Sequence, residues 1–470
     1  MVLLFGALIA VLGTASPAWA HGHLKRSLPS SGAHLGQVPR QLRLEFSETP
    51  ELEFTTIQLV DPTGHAVPLG PVMYAADSHR AAVANVRGVL SAGTYTVLWQ
   101  LAGDDGHPVR GRFEFTIAPG AMGAGLPPER NAEAPDMAMH HDPVTMPQGE
   151  GFGAESPNYV VVRLLQFLGL MIVIGAVAFR QLVLGFLRRT EESDSPMLAD
   201  AARTTARIGS WAVYLLLITM LLRLYAQSYA MHGAADALNV RRVGSMLQRT
   251  VWGWGWGLQG LGVILAGVGL SKARVAFAPK HWWALATAGA VVLAFTPAFA
   301  GHASSTPTLL PLAILADGLH VLGAGGWLGS LLFVLAAGIP AALRLGERDR
   351  GPMVAKLVNA FSPTALVFAA LVAGSGTFAA WLHLGSVPAL WQTGYGKTLL
   401  LKLGIVSVVA LTGAYNWLRV RPTLGQVEGT ARVRRSALIE LVVGMLILAV
   451  TAVLVATPTA MDVADMPGLQ

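Results

Sequence analysis

At 470 residues the chain is long enough for two domains. Hydrophobic residues make up 53% of it and charged residues only 13%, against roughly 25% charged in soluble proteins, which excludes a wholly aqueous fold. The net charge of +6 does not point to nucleic acid, because the basic residues fall in short loops between apolar runs, and the lack of cysteine excludes disulfides, thiolate metal sites and a cysteine nucleophile.

The first twenty residues carry an apolar run from Val2 to Leu12 and end in Ala18-Trp19-Ala20. This reads as a secretory signal, too short to span a bilayer. Cleavage after Ala20 makes His21 the mature N-terminus. A free amine and an imidazole on one residue chelate a metal that favours nitrogen.

Residues 21–118 read as a small all-β domain. Apolar and polar residues alternate over Leu42–Phe46, Thr94–Val97 and Phe113–Ile117, and Phe54–Val60 is a further candidate strand. Turn signals at Asp61-Pro62-Thr63-Gly64, Ala92-Gly93 and Asp105-Gly106 divide them. Short strands at this spacing predict a sandwich or barrel. Asp105 and His107 sit two apart and can converge with His21. Three nitrogens and a carboxylate oxygen suit Cu(II). His23, two residues from His21, can substitute for it or orient it.

Residues 119–157 form a Gly-, Pro-, Ala- and Met-rich linker without apolar period. Met137, Met139, His140, His141 and Met146 within it are all copper-ligand types.

From 158 to 457 eight apolar spans follow, at about 159–179, 208–228, 251–271, 282–300, 309–336, 361–383, 398–418 and 436–456. Each is near the ~20 residues needed to cross a bilayer, and lipid requires them to be helical. With the β domain outside, the inner loops carry 17 Lys and Arg and the outer segments four. That bias orients a multi-pass protein of a bacterial inner membrane, with the N-terminal domain and the 458–470 tail on the periplasmic side. Gly325-x-x-x-Gly329 and Gly253-x-x-x-Gly257 permit close helix contact.

Ionisable residues in spans are costly and mark function. Asp317 and His320 share a helix face in span 5, with His302 in the preceding loop and His383 at the end of span 6. Met231 and His232 end span 2, and Lys402 lies one turn into span 7. Arg223 and Lys402 read as snorkelling side chains, and so does Glu440. All of these but Glu440, which lies near the inner end of span 8, gather on the side of the β domain, as a metal entry path would. No Asp-Lys-Thr-Gly, Cys-Pro-Cys or Walker motif is present, and the chain reads as a non-enzymatic protein.

His21-Gly22-His23-Leu24, Ser27-x-Pro29-x-x-Gly32, Leu44-x-Phe46-Ser47-Glu48 and Asp105-Gly106-His107-Pro108-Val109-x-Gly111 together resemble the CopC family of periplasmic copper-binding proteins. The resemblance implies a cupredoxin-like β-barrel with Cu(II) held by His21, Asp105 and His107. A Met-rich Cu(I) site of the kind some members carry is not expected, since Met73 is the only Met in 21–118. Gly301-His302-Ala303, and Asp317-x-x-His320 followed by Gly323-x-Gly325-Gly326-Trp327-x-Gly329, resemble the CopD family, known also as CopC–CopD fusions. That implies copper homeostasis or resistance at the inner membrane, most often by import.

The expectation is an outer domain that captures Cu(II) and a membrane domain that accepts copper, as Cu(I), near His302, Asp317, His320 and His383. The partners are copper ions and the bilayer, with a role for a periplasmic copper chaperone or reductase. One rival is a haem-containing electron-transfer protein, which needs two intramembrane histidines at matching depth. Another is a sequestration or sensing module whose helices merely anchor it.

Overall fold

The computed structural model describes residues 24–47, 49–102, 108–122, 156–190, 195–275, 277–300, 310–420 and 427–457. Contacts divide the chain into two compact units. One holds the β domain together with residues 228–250; the other holds the helices.

The β domain is a two-sheet sandwich. Strands β1 (Leu24–Leu28), β3 (Gln41–Phe46), β7 (Ser78–Asn85) and β6 (Met73–Ala75) form one sheet in that order. The other runs β2 (His34–Gln37), β9 (Pro108–Met122), β8 (Gly93–Ala102), β4 (Thr56–Val60) and β5 (Ala66–Val67). All pairings are antiparallel except β2 with β9. The core follows the alternation of the sequence. Leu42, Leu44 and Phe46 point inward from β3, Tyr95, Val97 and Trp99 from β8, and Phe113, Phe115 and Ile117 from β9. The expected strand at Phe54–Val60 starts only at Thr56, because Leu52–Phe54 form a single 3₁₀ turn. Strand β9 continues to Met122, four residues beyond 118.

Residues 228–250 pack on the β domain within the same unit. Gln100 Nε2 donates to the Met231 carbonyl at 3.1 Å, and Arg110 donates to the Ala230 carbonyl at 2.8 Å and to Gln100 Oε1 at 2.8 Å. Burial lowers the Arg110 guanidinium below its usual value. Glu53 accepts from Ser245 at 2.7 Å and pairs with Arg249 at 3.1 Å.

Among the described residues eight helices are long and apolar enough to cross a membrane. They are α1 (Pro157–Thr190), α2 (Pro196–His232), α4 (Val251–Lys272), α5 (Lys280–Phe299), α6 (Pro311–Ala342), α7 (Glu347–Leu384), α8 (Gly394–Tyr415) and α9 (Ala431–Leu454). The short α3 (Val240–Arg249) lies between the second and third spans. Ser156 caps α1 by accepting from the Tyr159 amide.

Small residues set the helix seams. A Cβ on Gly175 of α1 would lie 2.3 Å from the Gly329 backbone of α6, so the two backbones touch as only glycine allows. Gly325, the other member of that predicted motif, meets Ile174. Gly257 of the second motif has nothing within 4 Å, so that spacing marks no contact at Gly257.

Candidate metal centres

The two ends of the expected Cu(II) site lie outside the described residues, because His21, His23, Asp105 and His107 all fall there. The scaffold on either side of them is described. The β8–β9 hairpin closes at the pair Ala102↔Pro108, so residues 103–107 are its connection. Leu24, at the start of β1, pairs with Phe46. The Phe46 ring meets Trp99 edge-on, with centroids 5.4 Å apart, and Trp99 pairs with Gly111, three residues from the hairpin end. The start of β1 and the mouth of the β8–β9 hairpin therefore share one end of the sandwich. Gly111 has a steric reason to be glycine: a Cβ there would stand 2.3 Å from Trp99 Cζ2.

In the helical unit a second centre is built from three helices. Asp317 and His320 come from α6, Ser375 and Gly376 from α7, and Lys402 from α8. Consecutive spans alternate in direction. Counted at about 1.5 Å per residue from the end where α1 begins, Asp317, His320, Ser375 and Lys402 all lie about 9 to 14 Å deep. All but Ser375 are half-buried, and Ser375 is buried.

The contacts fix the histidine. Ser375 Oγ lies 3.1 Å from His320 Nδ1 and donates its own proton to the Leu371 carbonyl at 2.7 Å. Ser375 thus holds the ring through its Nδ1 edge while its hydroxyl is anchored on its own helix. The Val372 backbone adds a further hydrogen bond to the ring. Gly376 provides its floor: a Cβ there would be 3.1 Å from His320 Cε1. Lys402 interacts electrostatically with Asp317 and with His320. A carboxylate and an imidazole can bind a cation, and a nearby ammonium can tune the charge of the site.

Asp317 and His320 lie three residues apart on α6, and Lys402 of α8 acts electrostatically on each of them. His383, one residue from the end of α7, packs its ring against Tyr395 at 6.4 Å and is about 12 Å along the helix from Ser375. His302 lies outside the described residues, as do the linker Met and His residues. Among the described residues no group of three or more His, Cys, Asp or Glu side chains is placed to hold a metal. Ser375 was not foreseen, because a lone serine in an apolar helix carries no signal until its neighbour is known.

Two snorkelling expectations are corrected. Arg223 is buried rather than reaching to the interface. It donates to Gln259 Oε1 at 3.0 Å and to the Tyr159 hydroxyl at 3.4 Å, and stands 6.0 Å from the Trp252 ring centroid. Glu440 is buried and accepts from Asn416, which in turn accepts from Ser436. In both cases partners on neighbouring helices satisfy the polar head inside the bundle, so it has no need to reach water.

Residues 24–118 match the CopC domain, residues 154–312 the copper resistance protein D-like N-terminal domain, and residues 355–454 copper resistance protein D. The chain belongs to the copper resistance family as a CopC–CopD fusion. It is 24% identical over 460 residues to copper transport protein CutJ of Bacillus subtilis (strain 168), covering 96% of this chain and 77% of that protein. Over 113 residues it is 31% identical to copper resistance protein C of Escherichia coli, covering 23% of this chain and 89% of the relative. The corresponding protein of Pseudomonas syringae pv. tomato is 30% identical over 105 residues, 21% of this chain and 82% of that one. The CopC match ends inside β9, and the CopD match contains Ser375, Lys402 and Glu440. Asp317 and His320 fall between the two CopD matches, on the part of α6 that those matches leave uncovered.

Proposed function

We propose that this CopC–CopD protein captures Cu(II) outside a bacterial inner membrane and passes copper inward through its helical domain. The CopC domain holds Cu(II) by the His21 amine and imidazole, the His107 imidazole and the Asp105 carboxylate, with His23 beside them. His302 and His383 form the mouth of the path, and Asp317 and His320 its first buried station. Imidazole in a dry site suits Cu(I), so a reductant, carried by another periplasmic protein, supplies the electron. The CopC domain and the C-terminal tail face the periplasm.

The observation that carries this reading is the meeting, at one depth, of Asp317, His320, Ser375 and Lys402 from three helices. A membrane anchor needs one helix and no such centre. Intramembrane polar clusters of this kind mark ion pathways. The names of the relatives, copper transport and copper resistance proteins, agree with it.

The test is the copper content of cells with and without the protein at limiting external copper, repeated with His320→Ala. A rise that depends on His320 supports inward transport. No change or a fall, with better survival in excess copper, replaces it with sequestration or export.

A further inference from the structure

A second polar site lies in the opposite half of the helical domain. Glu440 is on α9, nine residues from Ala431 and so about 14 Å from the end opposite to that of His320. It lines an open cavity of about 700 Å³ bordered by α6, α7, α8 with the turn that follows it, and α9. The lining is almost wholly apolar, with Trp327, Phe361, Val409 and Ala437 among the walls.

The charge inventory of this cavity is short. From α6 the polar group facing it is the Trp327 indole, from α7 the Ser362 hydroxyl, and from the turn after α8 the Asn416 amide. Ser362 donates to its own helix at Val358. Among the described residues no Lys, Arg, His or second carboxyl group lines it. Asn416 donates to Glu440 Oε1 and accepts from Ser436, so the carboxyl group is held in place within the bundle. An ionised carboxylate without a cation is not sustained in such surroundings; the group takes up a proton or pairs with a cation. A carboxylate with an amide is a poor donor set for Cu(I), which prefers imidazole and thioether. The proton is the ion that fits.

We propose that Glu440 is the proton-binding site of the helical domain, protonated at rest and ionised when a cation enters the path. Its ionisation then releases one proton and leaves one negative charge, which offsets the charge of the incoming Cu(I). This rests on the transport reading above for the cation, but the proton site itself does not.

The experiment is infrared spectroscopy of the solubilised full-length protein at neutral pH, in the carboxylic acid C=O region, for the unchanged chain, Glu440→Gln and Asp317→Asn. The expected result is a protonated-carboxyl band that Glu440→Gln removes and Asp317→Asn retains. Absence of the band, or its persistence in Glu440→Gln, overturns the proton site. Copper is then added with ascorbate. Loss of the band in the unchanged chain, with release of a proton to an indicator dye that Glu440→Gln lacks, supports the coupling; a band unmoved by copper overturns it. Should cells show no His320-dependent copper uptake while the band behaves as expected, the transport reading falls and the proton site stands. Glu440→Asp checks against misfolding: it keeps a carboxyl group and is expected to retain a shifted band.

Discussion

Ser375 on α7 stands 3.1 Å from Nδ1 of His320 on α6 and donates to its own helix at Leu371, so it holds the edge of that ring in place. Partners of this kind typically change metal affinity or activity by about 10–100-fold when removed. Ser375→Ala should therefore lower copper accumulation by about that factor, with the protein still inserted and folded. His320→Ala should abolish it. If Ser375→Ala accumulates copper normally, the hydroxyl only caps its own helix at Leu371.

The floor beneath that ring offers an independent perturbation. A Cβ at Gly376 is already 3.1 Å from His320 Cε1. Gly376→Val adds branching that the ring cannot avoid without leaving Ser375. Copper accumulation should fall at least as far as in Ser375→Ala, and the double variant should be no worse than Gly376→Val alone, because both act through one ring position. Additive losses would separate the two residues.

Much of this was legible in the sequence and some was not. The inward faces of β3, β8 and β9 follow from alternation alone, because one face of a sheet must bury its apolar residues. The eight spans follow from length and hydropathy. Strands β1, β2, β5, β6 and β7 were not foreseen: β2 and β5 are short, and β1 and β7 mix Lys, Arg, His and Ser with their apolar residues. The spacing of Asp317 and His320 placed them on one face, and the same arithmetic set the depth of Lys402. What pattern could not give was pairing across helices. Arg223 and Glu440 look alike as cations or acids near span ends, and only the three-dimensional neighbours Gln259 and Asn416 show that both are held inside.

Arg223 gives a stability prediction. Its removal leaves Gln259 Oε1 and the Tyr159 hydroxyl without this donor, in a place where Gln259 Nε2 already has no hydrogen-bond partner among the described residues. Leaving a buried polar group unpaired costs about 1–3 kcal/mol. Arg223→Leu should lower the thermal midpoint of the detergent-solubilised protein by several degrees, and Arg223→Leu with Gln259→Leu should recover part of the loss. A double variant less stable than either single one would show that the pair is not the reason Arg223 is buried.

The CopC domain gives a packing prediction. Gly111→Ala must push the Trp99 ring, which otherwise lies against the Phe46 ring, since Cβ and Cζ2 cannot sit 2.3 Å apart. Overpacking of this sort costs about 1–3 kcal/mol. Hydrogen exchange should speed up in β8 and β9 of the full-length variant and stay unchanged in α6 and α7. Trp99→Leu should relieve it by vacating the same space.

The Cu(II) site is tested most sharply at its first residue. An amine and an imidazole from His21 form a chelate only if nothing precedes that histidine. One added residue ahead of His21 turns the amine into an amide, which is no longer a basic nitrogen, and leaves the imidazole in place. Cu(II) affinity, measured by competition with a chromophoric chelator, should drop sharply, whereas His23→Ala should change it little if that side chain only orients the first. Equal affinity with and without the extra residue would move the metal off the N-terminal amine and leave His107, Asp105 and His23 to be tested in its place.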